Sequence, residues 1–437
     1  MNRLRRRFAL LVAALACPLT ARAGLDEYVR KPDGAFAWSP ASTEAVEGGT
    51  IHHLKLTSQV WQGITWTHNL AVIEPLDVAH PDATVLLIAG GQVGDGPRSG
   101  DIKTGLALAK ACRSRVAVLG QVPNQPLLGD KSEDALIAET FVRYLETKDG
   151  EWPLLFPMVK SAVRAMDAVQ AFARGRGESA RRFVVTGASK RGWTTWLSAA
   201  CDPRIAAIAP MVIPTLKLEA QNRHQLENFN GQFSEEINDY TERGLTRRED
   251  DPDSIRLRAM VDPFTYRDRL AMPKLQINGT NDPYWTLDSL NLYWDDLAGP
   301  KWVVYLPNAG HSLEEHRDYA IAGIGALYRH AIGGGSFPKL AWKHDDQPDA
   351  VRLTIESAPA PRSAKVWTAT SRSLDFRKSP WTATEITPAP EMIALAPRPG
   401  TGNVALFADL EYEIDGFIYH LSTQIRQTER KPAEARP

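Results

Sequence analysis

Cysteine is scarce in this chain of 437 residues, which contains only three. Cys17 lies near the start, and Cys112 and Cys201 lie further along. So few cysteines exclude the class of small, disulfide-rich secreted domains. The pair Cys112 and Cys201 fits either one disulfide bond or two separate buried thiols. With this length and 43% hydrophobic residues, the chain can bury a large core without a disulfide or a metal.

Long hydrophobic runs and an excess of basic residues are also absent. No stretch beyond residue 23 reaches the roughly 18 apolar residues of a membrane-spanning helix. Residues 1–23 hold five of the 51 basic residues and no acid, so 46 basic residues face 52 acidic ones beyond them, a net charge of −6. This balance, without a basic run, argues against nucleic acid as a partner.

Residues 1–23 have the pattern of an export signal. A basic segment (1–7) precedes an apolar one (8–16), and Ala21-Arg22-Ala23 provides a cleavage motif. We therefore expect cleavage after Ala23 and an exported protein, periplasmic or secreted. The arginines of the basic segment leave the twin-arginine route open beside the general secretory route.

Residues 24–333 have the periodicity of an α/β domain. An alternating hairpin at 51–73 precedes apolar strands that alternate with helical segments from Thr84 onward. This alternation predicts a mostly parallel sheet with helices on both faces. Residues 215–269 interrupt the rhythm with a long, polar and charged segment, interpreted as a helical lid insertion, with a plain surface excursion as the alternative.

The composition changes at the glycine-rich segment 333–336. Residues 337–427 then lose helical periodicity and contain short alternating runs between proline-rich turns. This pattern predicts a C-terminal antiparallel β-sandwich domain. The polar residues 428–437 are predicted to be a disordered tail. The predicted strands are 350–357, 363–370, 403–412 and 417–424.

A serine lies at a predicted strand-to-helix turn near the middle of the chain. Gly187-Ala188-Ser189 follows an apolar strand and precedes a helix, which is typical of a nucleophile elbow. Glycine two residues before the serine lets strand and helix pass closely. The usual motif also has glycine two residues after the serine, where this chain has Arg191.

An aspartate and a histidine follow two later strands in the order that α/β-hydrolases use. Asp282 comes after the strand 274–278, and His311 comes after the strand 302–306. Both positions lie at the carboxyl ends of strands, where ligands bind in such sheets. The sequence therefore predicts a catalytic triad of Ser189, Asp282 and His311, in which His311 is the base and Asp282 orients it.

Other residues compete for these roles. Asp282 can instead cap its own turn, which leaves Asp262 or Asp288 as the acid. His316 is a second candidate base, although it falls within a predicted helix. Its distance of five residues from His311 does not fit the inverted zincin motif, so no metal is predicted.

The oxyanion hole requires backbone N–H groups near the serine. Lys190 supplies one at the predicted start of the helix, and Gly91 or Gln92 supplies the other. The glycine-rich turn 90–96 lacks the Gly-Lys-Ser/Thr ending of a phosphate-binding loop. No cofactor is therefore predicted.

Five segments resemble the PhoPQ-activated pathogenicity-related proteins: VPNQP (122–126), PMVKSA (157–162), GASKRGWTTW (187–196), NGTNDPYW (278–285) and PNAGH (307–311). The resemblance extends over about residues 25–425 and implies an exported bacterial protein with an α/β-hydrolase-like fold. It also implies that Arg191 belongs to the family's own form of the elbow. The elbow is similar to that of glucuronoyl esterases, which implies that the Lys190 ammonium assists at the oxyanion.

The residues and the resemblance together predict an exported serine hydrolase that is a carboxylesterase acting on a small-molecule or peptide substrate. A peptidase of the same fold and a catalytically silent binding protein stay open as alternatives. Lys190 and Arg191 form a basic pair beside the serine, so we expect Arg191 to bind substrate and the site to favour negative charge.

Overall fold

The computed structural model describes residues 24–248, 250–313 and 316–429. The predicted signal segment 1–23 and residues 430–437 of the predicted tail lie outside these ranges. Residues 428–429 do not belong to a tail, because they complete the last strand of a sheet. Among the described residues, none of the helices has the length and hydrophobicity to span a bilayer.

Nine α-helices and seventeen strands form the described part of the chain. The helices are α1 Leu25–Arg30, α2 Ser99–Cys112, α3 Glu133–Thr147, α4 Leu155–Gly175, α5 Lys190–Cys201, α6 Leu218–Asn228, α7 Asn238–Thr241, α8 Pro252–Val261 and α9 Arg317–Ala331. The strands are β1 Ala37–Val46, β2 Gly49–Trp61, β3 Ile64–Pro75, β4 Ala83–Ile88, β5 Arg115–Leu119, β6 Arg182–Ala188, β7 Ile205–Met211, β8 Lys274–Gly279, β9 Lys301–Leu306, β10 Lys339–Asp346, β11 Ala350–Ala358, β12 Ser363–Ser371, β13 Thr382–Ile386, β14 Glu391–Pro397, β15 Asn403–Ile414, β16 Phe417–Ser422 and β17 Arg426–Glu429.

A large mixed sheet runs through the molecule. Its strand order is β1-β2-β3-β5-β4-β6-β7-β8-β9-β16-β15-β12-β13, and β17 also pairs with β15. The six central strands, in the order β5-β4-β6-β7-β8-β9, are parallel. Antiparallel strands extend the sheet at both ends. The chain leaves β4 toward β5 on one side and returns to β6 on the other, which opens a crevice at the carboxyl ends of these strands.

Helices cover both faces of the parallel strands and make two apolar cores. Leu86 and Ile88 of β4 pack into one core with α4 and α5, whereas Val85 and Leu87 pack into the other with α2 and α9. Every residue of β4 is buried because each face of the strand has its own helical layer. This double burial explains the continuous apolar run that predicted the strand.

The C-terminal strands form two layers, and one layer belongs to the large sheet. Strands β10, β11 and β14 make a separate three-stranded sheet, and its side chains share an apolar core with β15 and α9. In the other layer β16 pairs with β9, and the Tyr305 N–H donates to Ser422 Oγ at 3.0 Å. The predicted boundary at 333–336 therefore does not separate two sheets.

The insertion of residues 215–269 connects β7 to β8. It contains α6, α7 and α8 and two short 3-10 segments. The insertion contributes Leu218, Tyr240 and Leu257 to the wall of a cavity that also borders Ser189. Its helices therefore lie over the carboxyl end of the sheet.

The two cysteines within the described residues are unpaired. Cys112 is buried in α2, and Cys201 is partly buried at the end of α5. Burial raises the pKa of the Cys112 thiol to about 12. Of the two arrangements that the sequence allows, the structure has separate thiols.

Candidate active site

Ser189 occupies a strained turn between β6 and α5. Its φ and ψ are 56° and −124°, a combination that costs an L-residue free energy and persists only where neighbouring contacts hold it. The Ser189 N–H donates to the Met211 carbonyl at 2.9 Å, and the Trp193 N–H donates to the Ser189 carbonyl at 2.9 Å. These bonds fix the serine at the corner between strand and helix, as the elbow motif predicts.

Two glycines make the close packing at this elbow possible. A Cβ on Gly187 would lie 2.8 Å from the carbonyl carbon of Arg191. A Cβ on Gly192 would lie 2.6 Å from Ile213 Cγ2. Such a Cβ would also lie 3.0 Å from the Met211 carbonyl oxygen of β7. Gly192 thus takes the tight position against the next strand, one place after Arg191.

Asp282 and His311 form a hydrogen-bonded pair beyond the ends of β8 and β9. His311 Nδ1 and Asp282 Oδ2 are 2.7 Å apart, and the carboxylate partner fixes the proton on Nδ1. Asp282 is buried and also accepts the Tyr284 N–H at 2.9 Å. The Tyr284 ring stacks on His311 with centroids 4.1 Å apart. His311 Nε2 is buried and has no hydrogen-bond partner among the described residues. This basic nitrogen is therefore available to accept a proton.

The two competing aspartates have other partners, and the competing histidine begins a helix. Asp262 accepts backbone N–H groups from Lys217 and Leu218, and burial raises its pKa to about 6. Asp288 pairs with His224 at 2.5 Å. His316 lies at the N-cap of α9. The geometry therefore favours Asp282 and His311 over these alternatives.

Ser189 and His311 border two different hollows. Tyr284, which stacks on His311, lines the cavity that Ser189 borders. Ala188, the neighbour of Ser189, lines the groove that His311 borders. The described residues include no hydrogen bond between Ser189 Oγ and His311. Catalytic hydrogen bonds are often long in free enzymes and shorten when substrate binds.

Acidic residues neutralise the basic pair beside the serine. Lys190 Nζ donates to Asp134 Oδ2 at 2.7 Å, and the Arg191 guanidinium donates two bonds to Glu133 at 2.6 Å each. Arg191 also donates to the Val122 carbonyl at 2.6 Å. The Arg191 side chain is only 11% exposed. These contacts do not support the predicted substrate-binding role of Arg191 or a preference for negative charge.

Glu133 and Asp134 were not predicted as site residues from the sequence. The acid-rich first turn of α3 is visible there, but such residues usually only stabilise a helix N-terminus. Burial raises the pKa of Glu133, yet the hydrogen bonds and charge of Arg191, with the charge of Lys190, outweigh it and lower that pKa to about 2. Tyr240 of α7 adds a hydrogen bond to Asp134 at 2.8 Å, which ties the insertion to this cluster.

The predicted oxyanion donors have different surroundings. Lys190 is the first residue of α5, where helix N–H groups lack intrahelical acceptors. The Gln92 N–H instead donates to the Asp95 carboxylate at 3.2 Å, which does not favour it as a donor. Gly91 borders a small separate cavity with Gln121. Within this turn, Gly90 packs directly on the Arg191 side chain, because a Cβ on Gly90 would overlap a guanidinium nitrogen of Arg191.

The described residues contain no group of three or more histidine, cysteine, aspartate or glutamate side chains arranged to hold a metal ion. The region contains an acid–histidine pair, a strained serine and a helix N-terminus. Such an arrangement supports nucleophilic attack on a carbonyl.

Comparisons with known proteins add family relationships. A family model described as PhoPQ-activated pathogenicity-related protein matches residues 25–377. Autocrine proliferation repressor protein A of Dictyostelium discoideum is 33% identical over 425 residues, which cover 89% of this chain and 85% of that protein.

Solved structures with similar chains include two esterases. Acetyl xylan esterase 1 of Thermoanaerobacterium sp. has a TM-score of 0.48 and 16% identity, with coverage of 70% of this chain and 93% of that one. A glucuronoyl esterase of Solibacter usitatus has a TM-score of 0.43 and 14% identity, with coverage of 68% and 87%.

Proposed function

We propose that this chain, which belongs to the family of PhoPQ-activated pathogenicity-related proteins, is a serine hydrolase of the carboxylesterase type. One observation carries the proposal. His311 bonds through Nδ1 to Asp282 and keeps Nε2 without a partner among the described residues, beside an elbow that holds Ser189 in a strained conformation. A histidine with this tautomer is suited to accept a proton from a serine hydroxyl.

The proposed reaction begins when His311 Nε2 takes the proton of Ser189 Oγ as that oxygen attacks the ester carbonyl. The tetrahedral intermediate places negative charge on the former carbonyl oxygen, which the Lys190 N–H stabilises together with the predicted donor Gly91. Asp282 stabilises the imidazolium. The C–O bond to the alcohol then breaks, and His311 returns the proton to the leaving oxygen. Water attacks the acyl-enzyme by the same route and releases the acid.

Lys190 contributes in this scheme through its backbone rather than its ammonium. Its Nζ lies 2.7 Å from Asp134 and 3.5 Å from Glu133, so its charge is already matched. The idea that the ammonium assists at the oxyanion, which follows from the resemblance to glucuronoyl esterases, gains no support from these contacts.

Turnover of an activated ester tests the proposal. We expect the wild-type protein to hydrolyse p-nitrophenyl butyrate, and Ser189→Ala or His311→Gln to lower kcat by about 10³-fold or more, because each removes a group that acts in the reaction. Ser42→Ala is the matched control, since this exposed serine lies on β1 at the outer edge of the large sheet and should leave kcat within twofold. Equal turnover in Ser189→Ala and wild type would contradict the proposal. Hydrolysis of an aminoacyl anilide at a comparable rate would instead indicate a peptidase.

We propose in addition that the protein is exported, periplasmic or secreted. The support is the residue pattern of the segment 1–23, which lies outside the described residues. The mass of the protein recovered after export tests this, with Gly24 as the expected first residue.

A further inference from the structure

A cavity of about 110 Å³ lies beside Ser189, between the parallel sheet and the insertion. Apolar side chains from both parts face each other across it. Those contributed by the parts outside the insertion include Phe141, Trp193 and Ile213, and those of the insertion include Leu218, Leu257 and Val261. A volume of 10–15 Å³ by this measure holds one water molecule, so the cavity has room for a group of several carbon atoms.

Most polar groups on the cavity wall already have partners. Lys190 pairs with Asp134, and Tyr240 donates to the same carboxylate at 2.8 Å. The Ser254 hydroxyl donates to Asp251 at 2.7 Å. The Arg258 guanidinium, the other cation on the wall, donates to the Arg248 carbonyl at 3.1 Å and lies 4.0 Å from Glu219. Thr246 has a buried hydroxyl without a partner among the described residues. This hydroxyl alone cannot replace the hydration that a charged occupant would lose in the cavity. The wall therefore favours an uncharged, apolar occupant.

The leaving group has a different region available to it. His311, which returns the proton to the leaving oxygen, borders a groove between α2 and α9 with Leu108 and Ile324. Ser189 borders the cavity under the insertion instead. A substrate that reacts at the elbow can thus place its acyl part in the cavity and its alcohol part toward the groove.

Resting on the proposed function, we propose that the cavity beside Ser189 is the acyl-binding pocket and that the acyl group it takes is apolar, uncharged and longer than acetyl. Each methylene that leaves water on binding contributes about a fourfold gain in kcat/KM when the transition state makes the contact. The pocket therefore predicts a preference that rises with chain length until the cavity is full.

A series of p-nitrophenyl esters tests this. For the wild type we expect kcat/KM to rise about tenfold or more from acetate to butyrate, to stay high with hexanoate, and to fall below the acetate value with the charged hemisuccinate. Leu245→Trp and Leu218→Phe each add bulk to partly buried wall positions. Both should lower the hexanoate-to-acetate ratio of kcat/KM by about tenfold or more. Ile255→Trp is the matched control, because Ile255 is 48% exposed on α8, and it should keep the wild-type ratio.

The outcomes separate this inference from the proposed function. Ser189-dependent turnover that is fastest with acetate, or an unchanged ratio in both folded cavity variants, would overturn the acyl pocket and leave the serine hydrolase in place. Failure of every ester to turn over, or turnover that Ser189→Ala leaves unchanged, would instead remove the proposed function on which the inference rests.

Discussion

Glu133 and Arg191 form a bidentate ion pair beside the elbow. The guanidinium donates two bonds of 2.6 Å to one carboxylate, and such bidentate pairs combine charge with fixed geometry. Because Arg191 also donates to Val122 and lies against Gly90, the pair links the elbow to the loops after β4 and β5. We infer that Arg191 positions the elbow through these contacts.

The Glu133 pair gives a prediction for stability against pH. The pKa of Glu133 is lowered to about 2 in the folded state by Arg191 and Lys190 against the opposing effect of burial. A lowered carboxyl pKa contributes stability that is fully present above the unfolded pKa and is lost as pH falls toward the folded value, here between about pH 4.5 and 2. Glu133→Gln should therefore lower Tm most at pH 7, and the deficit should shrink to about half or less at pH 3.

Thermal unfolding of wild type and Glu133→Gln between pH 3 and 7 measures this. Glu356→Gln serves as the control on an exposed carboxylate in β11 and should show no comparable pH dependence. A Glu133→Gln deficit that is the same at both ends of the range would show that the charge of Glu133 is not what stabilises the contact.

At the residue scale, the sequence identifies the candidate catalytic side chains but not the acidic residues that pair with the basic ones beside them. The order of Ser189, Asp282 and His311 follows from strand positions, and the structure joins the latter two. The expected positive site beside Ser189 gains no support from the structure, because Asp134 and Glu133 lie 56 and 58 positions before Lys190 and Arg191 and pair with them only in the fold. A local motif carries no information about such a distant counter-charge.

The elbow is the element whose geometry most restricts its residues. Gly187→Ala would bring a Cβ within 2.9 Å of three Arg191 atoms, and such overpacking costs about 1–3 kcal/mol of stability. We expect that loss in the free energy of unfolding measured with denaturant, together with reduced ester turnover. Gly175→Ala, at the end of α4 with open space around a Cβ, should be neutral or slightly stabilising. Equal effects of the two substitutions would contradict the close passage of β6 and α5.

Periodicity predicted the regular elements well where each had a buried face. The predicted strand 274–278 became β8, in which each of these residues is buried. Strands β10, β13 and β14 were not predicted. Exposed positions interrupt the apolar ones in β10 and β14, and nearly all of β13 is exposed. A half-exposed strand at the edge of a sheet differs little from a turn in its residue pattern.

At the scale of the whole molecule, one core joins the parts that the sequence divides. Leu306 and Tyr328 share an apolar cluster with Leu353 and Leu421, and β16 continues the sheet from β9. Alternation within a strand reveals which residues are buried but does not reveal the strand that pairs with it. The glycine-rich break at 333–336 predicts a change of architecture there. The pairing of β16 with β9 could be identified only from the three-dimensional structure.

The central claim is that Ser189 is the nucleophile of the folded protein, and covalent labelling tests it most directly. The full chain is treated with a fluorophosphonate and analysed by intact mass and peptide mapping, with circular dichroism to verify folding. We predict one adduct per chain on Ser189, no adduct in Ser189→Ala, and slower labelling in His311→Gln because the serine loses its base. Folded wild-type protein that takes up no label, or an adduct that persists in Ser189→Ala, would contradict the account.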